Sequence, residues 1–157
     1  MEFATERIFL NMVMTLDGKI TTRDGAGPKF ASRADQDSPA LVFTTNQINS
    51  DRYNKLHEVA EIHVVGKSEV DFMRIVEILK KEYNVKQLLI EGGGQVNFAA
   101  FQAGIVEVFM TLSPKIAGGN VQTMVEGTGF NFDSLVELEL LDCQTVASEI
   151  FINYRVI

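Results

Sequence analysis

Cysteine occurs once in this chain, at Cys143, so no disulfide can form within it. A thiol left unpaired suits a reducing compartment, and the expected home is the cytoplasm. Cys143 itself reads as a small buried apolar residue rather than a nucleophile. Histidine is almost as scarce. His57 falls in a predicted helix and His63 inside an apolar strand, and neither has a second ligand at metal spacing. No H-E-x-x-H, C-x-x-C or G-x-S-x-G signature is present, so both histidines read as structural and nucleophilic or metal hydrolysis lacks support. Positive charge is in deficit too: 14 Lys and Arg against 21 Asp and Glu leave a net charge of −7. That balance argues against duplex nucleic acid, which needs a basic surface. It still permits an anionic cofactor, because one cation and a few backbone N–H groups can hold a phosphate. No apolar run approaches the roughly 20 residues of a membrane span. The N-terminus shows no signal-peptide core with a cleavage site, so no membrane partner is expected.

What the chain does carry is concentrated at Leu88-Leu89-Ile90-Glu91-Gly92-Gly93-Gly94-Gln95-Val96-Asn97-Phe98. An apolar run reading as a buried strand ends in an acid and three glycines, and helix-compatible sequence follows from Gln95 to Ala103. Such a turn leaves backbone N–H groups free at the helix start, and glycine lets a phosphate reach them. The pattern is neither G-x-G-x-x-G nor a P-loop. With catalytic side chains so few, the chemistry left open is that of a cofactor, positioned by the protein.

At 157 residues the chain has room for one domain with one core. Arg7–Thr15 reads as a first buried strand, followed by a turn at Leu16–Lys19 and a loop over Thr21–Lys29. Ala40–Thr44 and Glu61–Val65 are further strands, separated by a short helix that Ser50 caps and that runs to about Val59. The clearest helix runs from Glu69 to about Tyr83, with a capping box at Ser68 and Asp71 and an apolar stripe of Phe72, Ile75, Val76 and Leu79. Strand Lys86–Ile90, the glycine turn, a helix stopped by Gly104 and strand Ile105–Leu112 follow. Leu135–Leu141 and Val146–Val156 read as two strands able to pair as a hairpin. Strand–helix alternation followed by paired strands predicts an α/β fold, a single domain with a mixed, mostly parallel central sheet flanked by helices. Ligands of such sheets bind beyond the carboxyl ends of strands, where Asp17 and Glu91 could face one cleft.

Four blocks, in order, resemble the riboflavin-biosynthesis reductases, the RibD C-terminal, dihydrofolate-reductase-like family. They are Asn11-Met12-Val13-Met14-Thr15-Leu16-Asp17-Gly18-Lys19, Ile90-Glu91-Gly92-Gly93-Gly94-Gln95 with Asn97, Leu112-Ser113-Pro114-Lys115-Ile116-Ala117-Gly118-Gly119, and Phe151–Val156. The resemblance implies NADPH-dependent reduction of a phosphoribosylamino pyrimidine, 5-amino-6-(5-phosphoribosylamino)uracil or its diamino precursor, to the ribitylamino product. It places Glu91 against the substrate, with Asn11, Asp17 and Lys19 as candidates for its polar groups. Lys19 could be a phosphate cation or a solvated turn lysine, and Asp17 a substrate ligand or a turn-forming aspartate. For the cofactor it implies Met14, Phe30, Gly93, Gly94, Gln95, Val96 and Asn97. It also implies a homodimer formed through the sheets, and a strained or cis glycine peptide in the Gly92–Gly94 turn.

One departure stands out. After Arg33–Asp37 the family continues into a longer helix, a strand and a cofactor loop, whereas here Ser38-Pro39-Ala40 follows at once. Either the chain is naturally shortened at this junction or a segment between 37 and 38 is omitted; the closeness of the flanking blocks favours omission. Two other readings remain open at this point: a dihydrofolate-reductase-like oxidoreductase acting on another heterocycle, and a non-enzymatic oligomeric remnant that lost its cofactor site.

Overall fold

The computed structural model describes residues 7–25, 40–105 and 107–157. The chain groups into two compact units, one drawn from residues 1–28 and 85–157, the other from residues 29–84. Phe30 and the 37–38 junction lie outside the described residues.

The larger unit is an α/β assembly around a mixed, mostly parallel sheet. Its strands are β1 (Arg7–Thr15), β4 (Gln87–Ile90), β5 (Glu107–Ser113), β6 (Leu138–Val146) and β7 (Glu149–Val156), in the order β4-β1-β5-β7-β6. β1 pairs in parallel with β4 and β5, while β7 runs antiparallel to both β5 and β6, so only β7 opposes the other four. Helix α3 (Gly94–Gln102) follows β4 directly. Strand side chains alternate between faces, and this sorts β1 into two sets. Ile8, Leu10 and Met12 are buried. Register puts Ile90, Leu10 and Val108 side by side across three strands, and these three, with Phe98, Ala100 and Ile105, make the core. Phe9, Asn11 and Val13 occupy the opposite face.

The smaller unit holds β2 (Leu41–Thr44) and β3 (Glu61–Val64), paired in parallel, with helices α1 (Ser50–His57) and α2 (Phe72–Lys81). Here both histidines serve packing. His63 stacks on Phe43 with ring centroids 5.2 Å apart and places Nε2 2.8 Å from the Tyr83 hydroxyl, while His57 stacks on Tyr53. Burial, followed by the neighbouring Glu61 carboxylate, pushes the Tyr83 phenol up to about 12.

Several expectations need correction. α2 begins at Phe72 because Asp71 is itself the N-cap, accepting from Arg74 N at 3.0 Å, so no Ser68–Asp71 box opens the helix. α1 is likewise capped one residue early, by Asn49. The C-terminal hairpin turns at Ala147-Ser148, with Ala147 at φ 54°, so Val146 closes β6 instead of opening β7. No Asn-Gly or Asp-Gly pair marks that turn, which is why sequence placed it too early. Cys143 is exposed, not buried. β6 is a sheet-edge strand with all nine residues exposed, so an apolar residue there gains no cover from the fold. Among the described residues no peptide bond is cis, and Gly92, Gly93 and Gly94 all avoid positive φ, so the expected strained glycine turn is absent.

Candidate functional site

Three connections meet beyond the carboxyl ends of β1, β4 and β5. The first is the bare start of α3. Gly93 is its N-cap and offers no side-chain cap. The first N–H groups of a helix lack intrahelical acceptors and carry the positive end of its dipole. A Cβ built on Gly93 would meet nothing within 4 Å, whereas one on Gly94 would lie 2.5 Å from Glu126 Cγ and 2.7 Å from the Thr123 carbonyl oxygen. The approach is thus open over Gly93 and closed behind Gly94. Gln95 and Val96 are exposed beside this opening. A dinucleotide's phosphates fit such a cradle: exposed, uncapped, and free of a Cβ where they would approach.

Asn97 behaves differently from its neighbours. It is fully buried, and its Nδ2 donates to the Met124 carbonyl at 2.7 Å. Its side chain holds the 123–126 segment against the helix instead of lining a surface, while its Oδ1 is buried without a partner among the described residues. Burial of this kind follows from helical spacing, which sets Asn97 in one row with the buried Gly94 and Ala100 three residues to either side, a relation that a linear motif does not show.

The same connection after β4 sets Glu91 beside Asn11. Leu10 pairs with Ile90, so the next residues along the two strands fall together, and Asn11 Nδ2 donates to Glu91 Oε1 at 3.4 Å. Glu91 is exposed, and this is the hydrogen bond it makes among the described residues. It does not cap α3. Met14 lies at the same end of β1 but one face over, in the Leu10–Met12 set, so β1 presents Asn11 and Met14 to opposite sides of the sheet.

The other two connections, after β1 and after β5, meet at Asp17. Its Oδ1 accepts from the Thr15 hydroxyl at 2.6 Å and from Ala117 N at 3.2 Å, and its Oδ2 from Gly118 N at 2.7 Å. The Thr15 hydroxyl, then the Gly118 and Ala117 amides, hold this carboxyl down at about 2. The carboxylate is engaged by the protein's own loops through three hydrogen bonds, two on Oδ1 and one on Oδ2. Sequence reasoning missed this partner segment because it lies a hundred residues away. Lys19, two residues on, joins Thr123 in an isolated backbone bridge, and its ammonium has no ion pair among the described residues.

An acid-stability prediction arises here. Asp17 titrates lower in the folded protein than in the unfolded chain, so the unfolded state binds more protons between roughly pH 4 and pH 2. Stability from Asp17 is present above that window and lost as pH falls through it. Melting temperature measured against pH should drop there, and the drop should be smaller in Asp17→Asn; equal slopes in both proteins would show the carboxylate to be unengaged.

Among the described residues no cluster of three or more metal-ligating side chains occurs, and no helix is long and apolar enough to cross a membrane.

A mostly parallel α/β sheet with an uncapped, glycine-led helix start and an acid at the preceding strand end defines an α/β protein of the class whose ligands bind beyond strand ends. Comparison with known proteins narrows this. The RibD C-terminal domain family matches residues 27–152, and the chain belongs to that family. It is 31% identical over 116 residues to the riboflavin biosynthesis protein RibD of Actinobacillus pleuropneumoniae, covering 69% of this chain and 31% of that protein. The chain therefore spans about a third of that relative's length. Among solved structures, a pyrimidine reductase-like protein from Corynebacterium diphtheriae superposes with a TM-score of 0.73 at 16% identity, covering 97% of this chain and 92% of that one. The diaminohydroxyphosphoribosylaminopyrimidine deaminase/5-amino-6-(5-phosphoribosylamino)uracil reductase of Thermotoga maritima gives 0.65 at 19% identity, covering 98% and 57%. At these identities the two structures establish the shared fold.

Proposed function

We propose that this protein is an NADPH-dependent reductase of riboflavin biosynthesis, acting on a phosphoribosylaminopyrimidine. The observation that carries the reading is the pairing of Glu91 with Asn11 immediately before the uncapped start of α3, in a chain of the RibD C-terminal domain family. The N–H groups at Gly94, Gln95 and Val96 would hold the dinucleotide phosphates, with Gly93 leaving the approach open and Met14 on the neighbouring strand end. When bound, NADPH supplies a hydride. On the substrate side, the ribosylamino ring opens to its imine, C1′ accepts the hydride, the nitrogen takes a proton, and a ribitylamino pyrimidine results. Glu91 would hold a substrate hydroxyl or amine, Asn11 would orient the Glu91 carboxylate, and Lys19 would meet the substrate phosphate. Such a reaction depends on face-to-face placement more than on a strong nucleophile, which suits a site with these side chains.

Titration with NADPH, followed by a panel of phosphorylated and dephosphorylated ribosylamino pyrimidines, tests the reading. NADPH binding and its consumption with the 5-phosphoribosylamino substrate are expected. A folded chain that binds no NADPH would remove the proposal.

The reading includes a homodimer. The Asn11 face of the sheet is an open trough of about 890 Å³, lined by Phe9, Val13, Phe109, Phe151, Asn11 and Asn153. Phe151 is 41% exposed, and Asn153 Oδ1 is buried without a partner among the described residues. Apolar sheet faces of this extent usually lie in interfaces. Sedimentation at micromolar concentration should show the dimer, and a monomer alone would count decisively against it.

A further inference from the structure

We propose that Asp17 is a positioning residue whose carboxylate latches the segment after β5 and, through that segment, seats the start of α3. The proposal rests on the reductase reading for the identity of the ligand held there.

The Asp17 carboxylate joins positions 17, 117 and 118, which sequence leaves far apart. Two backbone bonds flank it and fasten the same segments, Leu16 N to the Lys115 carbonyl at 2.9 Å and Ile20 N to the Gln122 carbonyl at 3.0 Å. Gly118 and Gly119 sit at φ 64° and 70°, a left-handed pair that glycine adopts without strain. This turn aims the Ala117 and Gly118 amides together at the carboxylate. Beyond the latch, the segment runs to Met124 and Glu126 and grips α3. Asn97 Nδ2 donates to the Met124 carbonyl, and Glu126 N donates to the carbonyl of Gly94, the first helical residue, at 3.0 Å. Glu126 also folds its carboxylate onto Thr123 N at 3.0 Å, which keeps that segment closed on itself. One carboxylate therefore heads a relay of bonds from the β1 turn to the cofactor end of α3. Glu91 and Asn11 lie outside the relay, so it bears on dinucleotide binding and leaves the chemical step alone.

Asp17→Asn keeps the size but turns one acceptor into a donor, which faces a backbone N–H that is also a donor. In amide hydrogen exchange by NMR, Ala117, Gly118 and, through the relay, Glu126 should exchange at least about tenfold faster, with β5–β7 ladder amides unchanged. In steady-state kinetics the KM for NADPH should rise about tenfold, with kcat at saturating NADPH within about twofold of the parent. Thr15→Val, which removes the hydroxyl that donates to Asp17 and accepts from Lys19 N but leaves the Ala117 and Gly118 amides their acceptor, should move both readouts the same way by less, and serves if Asp17→Asn does not fold. A merely structural aspartate would lower the folded fraction, and hence kcat, without moving the KM for NADPH; that result overturns the proposal. Unchanged exchange at Ala117 and Gly118 overturns it as well, as does a raised KM for the pyrimidine with that for NADPH unmoved. A parent protein that binds no NADPH fails the reductase reading instead, and the exchange rates then decide the latch by themselves.

Discussion

Glu91→Gln is expected to lower kcat/KM by roughly ten- to a hundredfold, since a charge-assisted hydrogen bond to substrate is worth about 1.5–3 kcal/mol. The substitution keeps an acceptor oxygen for Asn11 Nδ2 and removes only the charge, so the strand-end geometry should survive. NADPH affinity should be unchanged, because the phosphates are proposed to meet the backbone beyond Gly93. The competing role for Glu91, capping α3, predicts the reverse pattern: full turnover with a stability loss of about 0.5–1 kcal/mol. In the structure the Glu91 carboxylate turns to Asn11, and Gly93 is the cap. Steady-state kinetics beside an NADPH titration of the same variant separates the two. Full activity with a lowered melting temperature would sink the substrate role.

Gly93→Val is expected to weaken NADPH binding at least tenfold, about 1.4 kcal/mol. The structure makes this a clean test. A Cβ at Gly93 enters empty space, so a branched side chain there should cost the fold little while filling the path to the helix-start N–H groups. The same change at Gly94 would be uninformative. Its Cβ would collide with Glu126 and with the Thr123 carbonyl, and lost binding there would follow from a displaced backbone. Unchanged NADPH affinity in a folded Gly93→Val protein would take the phosphates away from this turn.

Much of this was open to reading from residue order alone. Strands at Arg7–Thr15, Glu61–Val64 and Gln87–Ile90, and the helix after the glycine turn, follow from apolar runs punctuated by Gly, Asp and Asn, because these signals act over a few residues. The four spaced blocks were likewise local, and they led to the family that residues 27–152 match. Where local signals were weak, reading failed: Ala147 takes a turn conformation that its residue type does not advertise, and Asp71 caps where Ser68 offered an equally plausible start.

Tertiary structure alone decided how the site's residues divide their work. Seen in the motif, Asn97 is one more polar residue beside the glycines, yet the helix turns it fully inward onto Met124. Asp17 and Lys19 share one turn, yet the segment at Ala117-Gly118 arrives to occupy the carboxylate and leaves the ammonium without an ion pair among the described residues. Asn11 and Met14 are three apart on one strand, and only the sheet's alternation sends them to opposite faces. Sequence determined which elements form, because helix starts, strands and glycine turns are set by near neighbours. Which partners each carboxylate takes, Asn11 for Glu91 and the Ala117 and Gly118 amides for Asp17, was decided by contacts between positions eighty to a hundred residues apart, and no short-range pattern encodes those.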